Sequence, residues 1–146
     1  MRKRVEVMHG VNLDVLGRRD PELYGRLTLP ELEVRVKRFA RELGLDVSFS
    51  QTNHEGQFCE NLHRAAGGAD GVVLNPGAWT HYSWAIHDAL EVAGLPAVEV
   101  HLSGVDEREE WRRVSVIRDL CVGCVQGKGV DGYRDALQML KEALPV

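Results

Sequence analysis

Five short, valine-rich apolar runs recur along the chain, each followed by a longer stretch. The runs are "RVEVM" (Arg4–Met8), "DVSFS" (Asp46–Ser50), "GVVLN" (Gly71–Asn75), "AVEVH" (Ala97–His101) and "LCVGCV" (Leu120–Val125). Short, β-branched and bounded by turn residues, they read as strands. Between the first two, "TLPELEVRVKRFARELG" repeats Leu32, Val36, Phe39 and Leu43 at helical spacing. Thr28 and Glu31 fit a capping box, Pro30 is tolerated in the first turn, and Gly44 supplies the stop. "QFCENLHRAA", "SWAIHDALEVAG" and "GYRDALQMLKEAL" predict three further helices.

Strand–helix alternation through five units predicts an α/β three-layer sandwich around a five-stranded parallel sheet. Right-handed crossovers on both faces favour the flavodoxin-like order 2-1-3-4-5. With 146 residues and no linker or repeat, the chain is expected to form one domain, 1–146. The net charge of −4 disfavours a general nucleic-acid or anionic-membrane surface, so an anionic ligand must be met by local arginines. No apolar run follows "MRKRVEVMHG" that is long enough for a signal peptide or a membrane span, and the expected location is the cytoplasm. Three cysteines, an odd number, disfavour a disulfide framework. "CVGC" has redox-motif spacing, but on the expected strand Cys121 and Cys124 point to opposite faces and read as buried apolar residues.

Ligands of such sheets bind at the carboxyl ends of the strands. There the sequence gathers Asn12, Arg19 and Tyr24 after the first run, and Gln51, Asn53 and Glu55 after the second. Asn75 and His81 follow the third, His101, Leu102, Ser103, Arg108 and Arg112 the fourth, and "GKGVDG" the fifth. "GKGVDG" matches G-x-G-x-x-G, but no strand follows to bring the acidic partner about 20 positions on, so tight turning explains its glycines better. A phospho-receiver would need an aspartate where Asn75 stands. The histidines form no HExxH pair, no G-x-S-x-G elbow occurs, and only Lys128 is placed for Schiff-base chemistry. Neither a metal nor a cofactor is expected.

Proton chemistry by Tyr24 and His101 remains. Tyr24 lies in "VLGRRDPELYG", where Pro21 is expected to break any helix. A guanidinium a few ångströms away favours phenolate over phenol, and Arg19, five residues earlier, is the candidate cation. The competing reading of Tyr24 is a solvated loop aromatic, and that of Arg108 and Arg112 a charged face.

Five ordered blocks, "GVNLDVLGRRDPELYG", "QTNHEGQFCENLH", "LNPGAWTHYSWAIHDAL", "VEVHLSGVDEREEWRRVS" and "GKGVDGY", resemble those of the type II 3-dehydroquinate dehydratases over nearly the whole chain. The resemblance implies trans-elimination of water from 3-dehydroquinate to 3-dehydroshikimate through an enolate, without metal or imine. It implies Tyr24 as base with Arg19 holding it as phenolate, and Asn12 positioning a water on the enolate oxygen. His101 would be the general acid, oriented by Glu99. Asn75, His81, Leu102 (through its N–H), Ser103 and Arg112 would bind substrate, Arg108 would support the lid, and Leu16 to Gly25 would form that lid. Asp88, seven residues after His81, is expected about 10 Å further along one helix face, too far for one small ring to touch both. In the family it reaches a neighbouring active site, which implies an obligate homo-oligomer, a trimer in the first instance, with the family forming dodecamers. His9, Val11, Gly104 and Val114 depart from the family pattern; none has an assigned role in the chemistry. The alternative is a flavodoxin-like module that binds a flavin or nucleotide.

Overall fold

The computed structural model describes residues 2–145. Strands β1 (Arg4–His9), β2 (Asp46–Gln51), β3 (Gly71–Asn75), β4 (Ala97–His101) and β5 (Gly123–Gln126) form one parallel sheet in the order β2-β1-β3-β4-β5, as expected. Successive strand residues alternate between two apolar faces. Val5, Val7, Val73, Val98, Val100 and Val125 pack under helices α2 (Leu29–Glu42) and α5 (Gly132–Ala143). Met8, Val72, Leu74 and Ala97 pack under α3 (Glu55–Ala66) and α4 (Trp84–Ala93). A sheet buried on both faces needs this near-continuous apolar composition, and each fully buried aliphatic side chain contributes about 1.5–3 kcal/mol.

Helix α2 starts on the expected capping box: Glu31 N–H donates to Thr28 Oγ1 at 3.4 Å and Thr28 N–H to Glu31 Oε1 at 3.1 Å. It stops at Gly44, whose φ of +73° favours glycine.

Three expectations are corrected. Pro21 does not exclude a helix; it opens a one-turn helix, α1 (Pro21–Tyr24), on which Asp20 Oδ1 accepts from Glu22 N–H at 3.0 Å. A proline fits the first helical position because that N–H has no intrahelical partner. Upstream, Leu13–Arg18 forms 3-10 turns whose Leu13 and Leu16 are buried in the core, so Leu16 anchors the segment rather than opening a mobile loop. The last strand begins at Gly123, not Leu120: Arg118–Leu120 is a 3-10 turn, and Leu120 and Cys121 pack on the second core from there. The three cysteines are free and only partly buried. Among the described residues, no helix is long and apolar enough to cross a membrane.

Candidate active site

The loops after β1 and β3 are pressed together at the strand ends. A Cβ on Gly10 would lie 2.3 Å from the Pro76 carbonyl oxygen, and one on Gly77, at φ +68°, 2.8 Å from that of Val11. Only glycine allows this approach, which brings Asn12 beside Asn75 in one cavity wall. Asn12 has φ +69°, the sole non-glycine residue at positive φ among the described residues. Asparagine tolerates this region better than most residues, and such strain concentrates at functional sites. Asn53 Oδ1 accepts from the Asn12 N–H at 2.8 Å, while Gln51 Nε2 donates to Asn53 Oδ1 and the Gly10 carbonyl at 3.2 Å each. The residues after β2 thus brace the loop that aims Asn12.

Tyr24 is half-buried against the core and is no solvated loop aromatic. Its hydroxyl oxygen accepts from two guanidinium groups, Arg19 Nη2 at 2.8 Å and Arg108 Nη1 at 2.7 Å. The Arg19 Cζ also lies 3.9 Å from the ring centroid. Arg108 Nη1 donates in addition to Ser103 Oγ at 3.2 Å, so this arginine ties α1 to the turn after β4. Arginine is a donor only, so this oxygen meets two charged donors.

Opposite stands a polar group at the end of β4. His101 Nε2–H donates to Glu99 Oε2 at 2.6 Å, two residues earlier on the same strand face. The other carboxylate oxygen, Oε1, accepts from Ser115 Oγ at 2.7 Å, and Arg118 Nη2 donates to Oε2 at 3.0 Å. Burial alone would push the Glu99 carboxyl up; the His101 and Arg118 hydrogen bonds, the His101 charge and the Ser115 hydroxyl outweigh it and hold it at about 2. Glu99 is therefore a fixed anion behind His101. Burial pushes the His81 pKa down from its ordinary value against the Val114 hydrogen bond, and the His101 and Arg112 charges act with burial. His81 is neutral at pH 7, with Nδ1–H donating to the Val114 carbonyl at 2.7 Å and Nε2 left as an acceptor. The contact uses backbone at position 114, so a valine side chain there leaves it intact.

One cavity of about 100 Å³ collects Asn12, Arg19, Tyr24, Asn75, His81, His101, Leu102, Ser103, Arg108 and Arg112. Glu99 stands behind it, bonded to His101. The turn carrying Leu102 and Ser103 is fixed by their carbonyls, which accept from Gly129 and Gly127 N–H at 3.1 Å each. Those glycines, at φ +59° and +78°, account for "GKG" as turn residues. Three guanidinium groups and no carboxylate line this cavity among the described residues, which suits a small anion. A larger cavity of about 420 Å³, between β2 and α3, includes Arg4, Ser48, Phe49, Asn61 and Arg64 but lies away from these groups.

Asp88 is the one assigned residue that the structure does not bring in. His81 ends a 3-10 turn (Gly77–His81), and α4 begins only at Trp84, capped by Ser83 Oγ. The two residues do not share a helix face, contrary to expectation. The Asp88 side chain is 77% exposed and accepts from its neighbour His87 at 3.2 Å. Sequence reasoning missed Ser115 and Arg118. Ser115 lay inside the fourth block, whereas no motif marks Arg118.

The comparisons decide the family. The model described as Dehydroquinase class II matches residues 3–141. The chain belongs to the class II dehydroquinase family. The 3-dehydroquinate dehydratase of Thermus thermophilus is 50% identical over 143 residues, covering 97% of this chain and 96% of that one. The 3-dehydroquinate dehydratase of Pelotomaculum thermopropionicum is 47% identical over 135 residues, covering 92% and 94%. The type II dehydroquinase of Propionibacterium acnes has the same fold, with a TM-score of 0.91 at 43% identity over 97% of this chain and 98% of that one. As a class II dehydroquinase, the chain carries these cavity residues at the strand ends where the flavodoxin-like order puts a ligand.

Proposed function

We propose that the chain is a 3-dehydroquinate dehydratase, a hydro-lyase that eliminates water in the trans sense through an enolate. The observation that carries this reading is one cavity holding Tyr24, with two guanidinium donors on its oxygen, together with His101 backed by an ionised Glu99. Tyr24, as phenolate, takes a proton from the carbon next to the ketone. The electron pair moves onto the ketone oxygen, where a water positioned by Asn12 stabilises the enolate. The enolate then re-forms the ketone as the β-hydroxyl departs with a proton from His101, leaving the conjugated enone 3-dehydroshikimate. Leu102 N–H, Ser103 and Arg112 hold the carboxylate region, while Asn75 and neutral His81 accept or donate to the ring hydroxyls. The segment from Gly17 to Gly25 closes over the substrate and excludes water.

The test is absorbance: ultraviolet absorption of the enone grows when the purified protein meets 3-dehydroquinate. No growth removes the reading. A flavin- or nucleotide-binding module is not favoured, since the family and the gathered cavity residues both point elsewhere.

The enolate route carries a second prediction. No lysine lines the cavity among the described residues; Lys128 is exposed and donates to Asp135 at 2.6 Å. Borohydride with substrate should leave activity intact, and Lys128→Ala should remain active. A reduced substrate adduct on Lys128 in a mass spectrum would replace the enolate with an imine.

We further propose a single catalytic domain, 1–146, working in the cytoplasm as a trimer-based homo-oligomer, assembled as a dodecamer, in which exposed Asp88 completes a neighbouring site. Tyr24→Phe and Asp88→Ala oligomers, dissociated, mixed and reassembled, should then exceed either parent in activity, because some sites pair an intact Tyr24 with an intact Asp88. Mixed oligomers verified by native mass spectrometry without such a gain would remove Asp88 from the neighbour's site.

A further inference from the structure

Glu99 receives three donors, and one of them comes from outside every motif in the sequence. Ser115 Oγ takes Oε1, and Oε2 is shared by His101 Nε2 and Arg118 Nη2 at 2.6 and 3.0 Å. Arg118 opens a 3-10 turn held from below: Val116 and Ile117 are buried under α4, and the Val116 N–H donates to the Thr80 carbonyl at 2.9 Å. The backbone is thus fixed where the guanidinium meets the carboxylate. We propose that Arg118 is a positioning residue for the elimination: it pins Glu99 as an anion so that Glu99 holds the His101 imidazole by one nitrogen and leaves the other for the departing hydroxyl.

A carboxylate held by His101 and the neutral Ser115 alone could take the proton itself. Arg118 opposes this. Its charge keeps Glu99 ionised, and its Nη2 adds a third bond, on Oε2. The other groups around Glu99 cannot replace it. Ser115 is neutral, and the Cys121 and Cys124 thiols on the β5 side are pushed up by burial, to about 12 and about 11, and stay uncharged. His81, across the cavity, is neutral at pH 7. Asp106, 4.0 Å from Arg118 Nη1, steadies the far side of the guanidinium.

The inference rests on the proposed dehydration for its kinetic readout, so its test has a second arm that needs no turnover. In Arg118→Met, kcat should fall about tenfold or more with KM little changed, within the ~10²-fold that a 1 Å misplacement can cost. Glu99 loses a group that lowers its pKa, so the loss of activity on acidification should begin at higher pH than in the parent. Arg118→Lys should recover most of kcat and the original acid limb. In the second arm, the downfield imidazole N–H proton resonance of His101 bonded to Glu99 should be present in the parent and in Arg118→Lys, and lost or shifted in Arg118→Met. A lower melting temperature in Arg118→Met with kcat, acid limb and resonance unchanged would reduce Arg118 to a stabilising ion pair and overturn the proposal. Loss of the resonance in Arg118→Met while even the parent fails to turn over 3-dehydroquinate would keep the positioning role and remove the reaction.

Discussion

Tyr24→Phe should lower kcat by about 10²–10⁴-fold or more, the range expected for a lost general base, with KM little changed. The substitution removes one oxygen and keeps the ring that packs against the core, so the fold and the cavity wall remain. Arg19 and Arg108 lose their shared acceptor, but both are donors at the cavity surface and water can satisfy them. Substrate binding therefore persists while proton removal stops. The same variant should fail to exchange deuterium between solvent and the carbon next to the ketone. Near-parental kcat would end the assignment of Tyr24 as base.

His101→Ala should cost kcat comparably, by about 10²–10⁴-fold, because hydroxide leaves poorly without an acid. Its signature differs from that of Tyr24→Phe. With Tyr24 intact the enolate still forms and returns, so deuterium should enter the substrate although no enone accumulates. Nuclear magnetic resonance of recovered substrate reads this. Loss of both exchange and elimination would mean that His101 acts before the enolate, and the acid role would fail.

Both variants probe residues whose partnership was only partly legible in the sequence. The five-residue spacing of Arg19 and Tyr24 suggested their contact, and the 2.8 Å hydrogen bond has that form. Arg108 stands 84 positions from Tyr24, and only the fold could bring it to the same oxygen. Glu99 was paired with His101 only through the family resemblance, and the structure shows why they meet: alternate residues of a strand share a face. Arg118 was not legible, since its position depends on where Val116 and Ile117 settle under α4.

The fold was legible where apolarity and strand conformation coincide, as in β3 and β4, whose bounds match the apolar runs. They part company at "LCVGCV". Leu120 and Cys121 pack on the core from a 3-10 turn and its cap, so the run extends beyond the hydrogen-bonded ladder. An apolar run reports burial, and burial alone does not choose between a strand and a turn. The expected His81–Asp88 geometry failed for a related reason. Ser83 caps α4, which starts a new helix axis after His81, so counting residues as if along one helix misplaced Asp88.

The most direct test of the proposed reaction uses 3-dehydroquinate carrying deuterium only at the ring hydrogen trans to the departing hydroxyl. A base and an acid acting on opposite faces of the ring, Tyr24 on one and His101 on the other, should give enone absorbance and a 3-dehydroshikimate that has lost the label. Product that retains the deuterium would place proton removal and hydroxyl departure on the same face and contradict the mechanism.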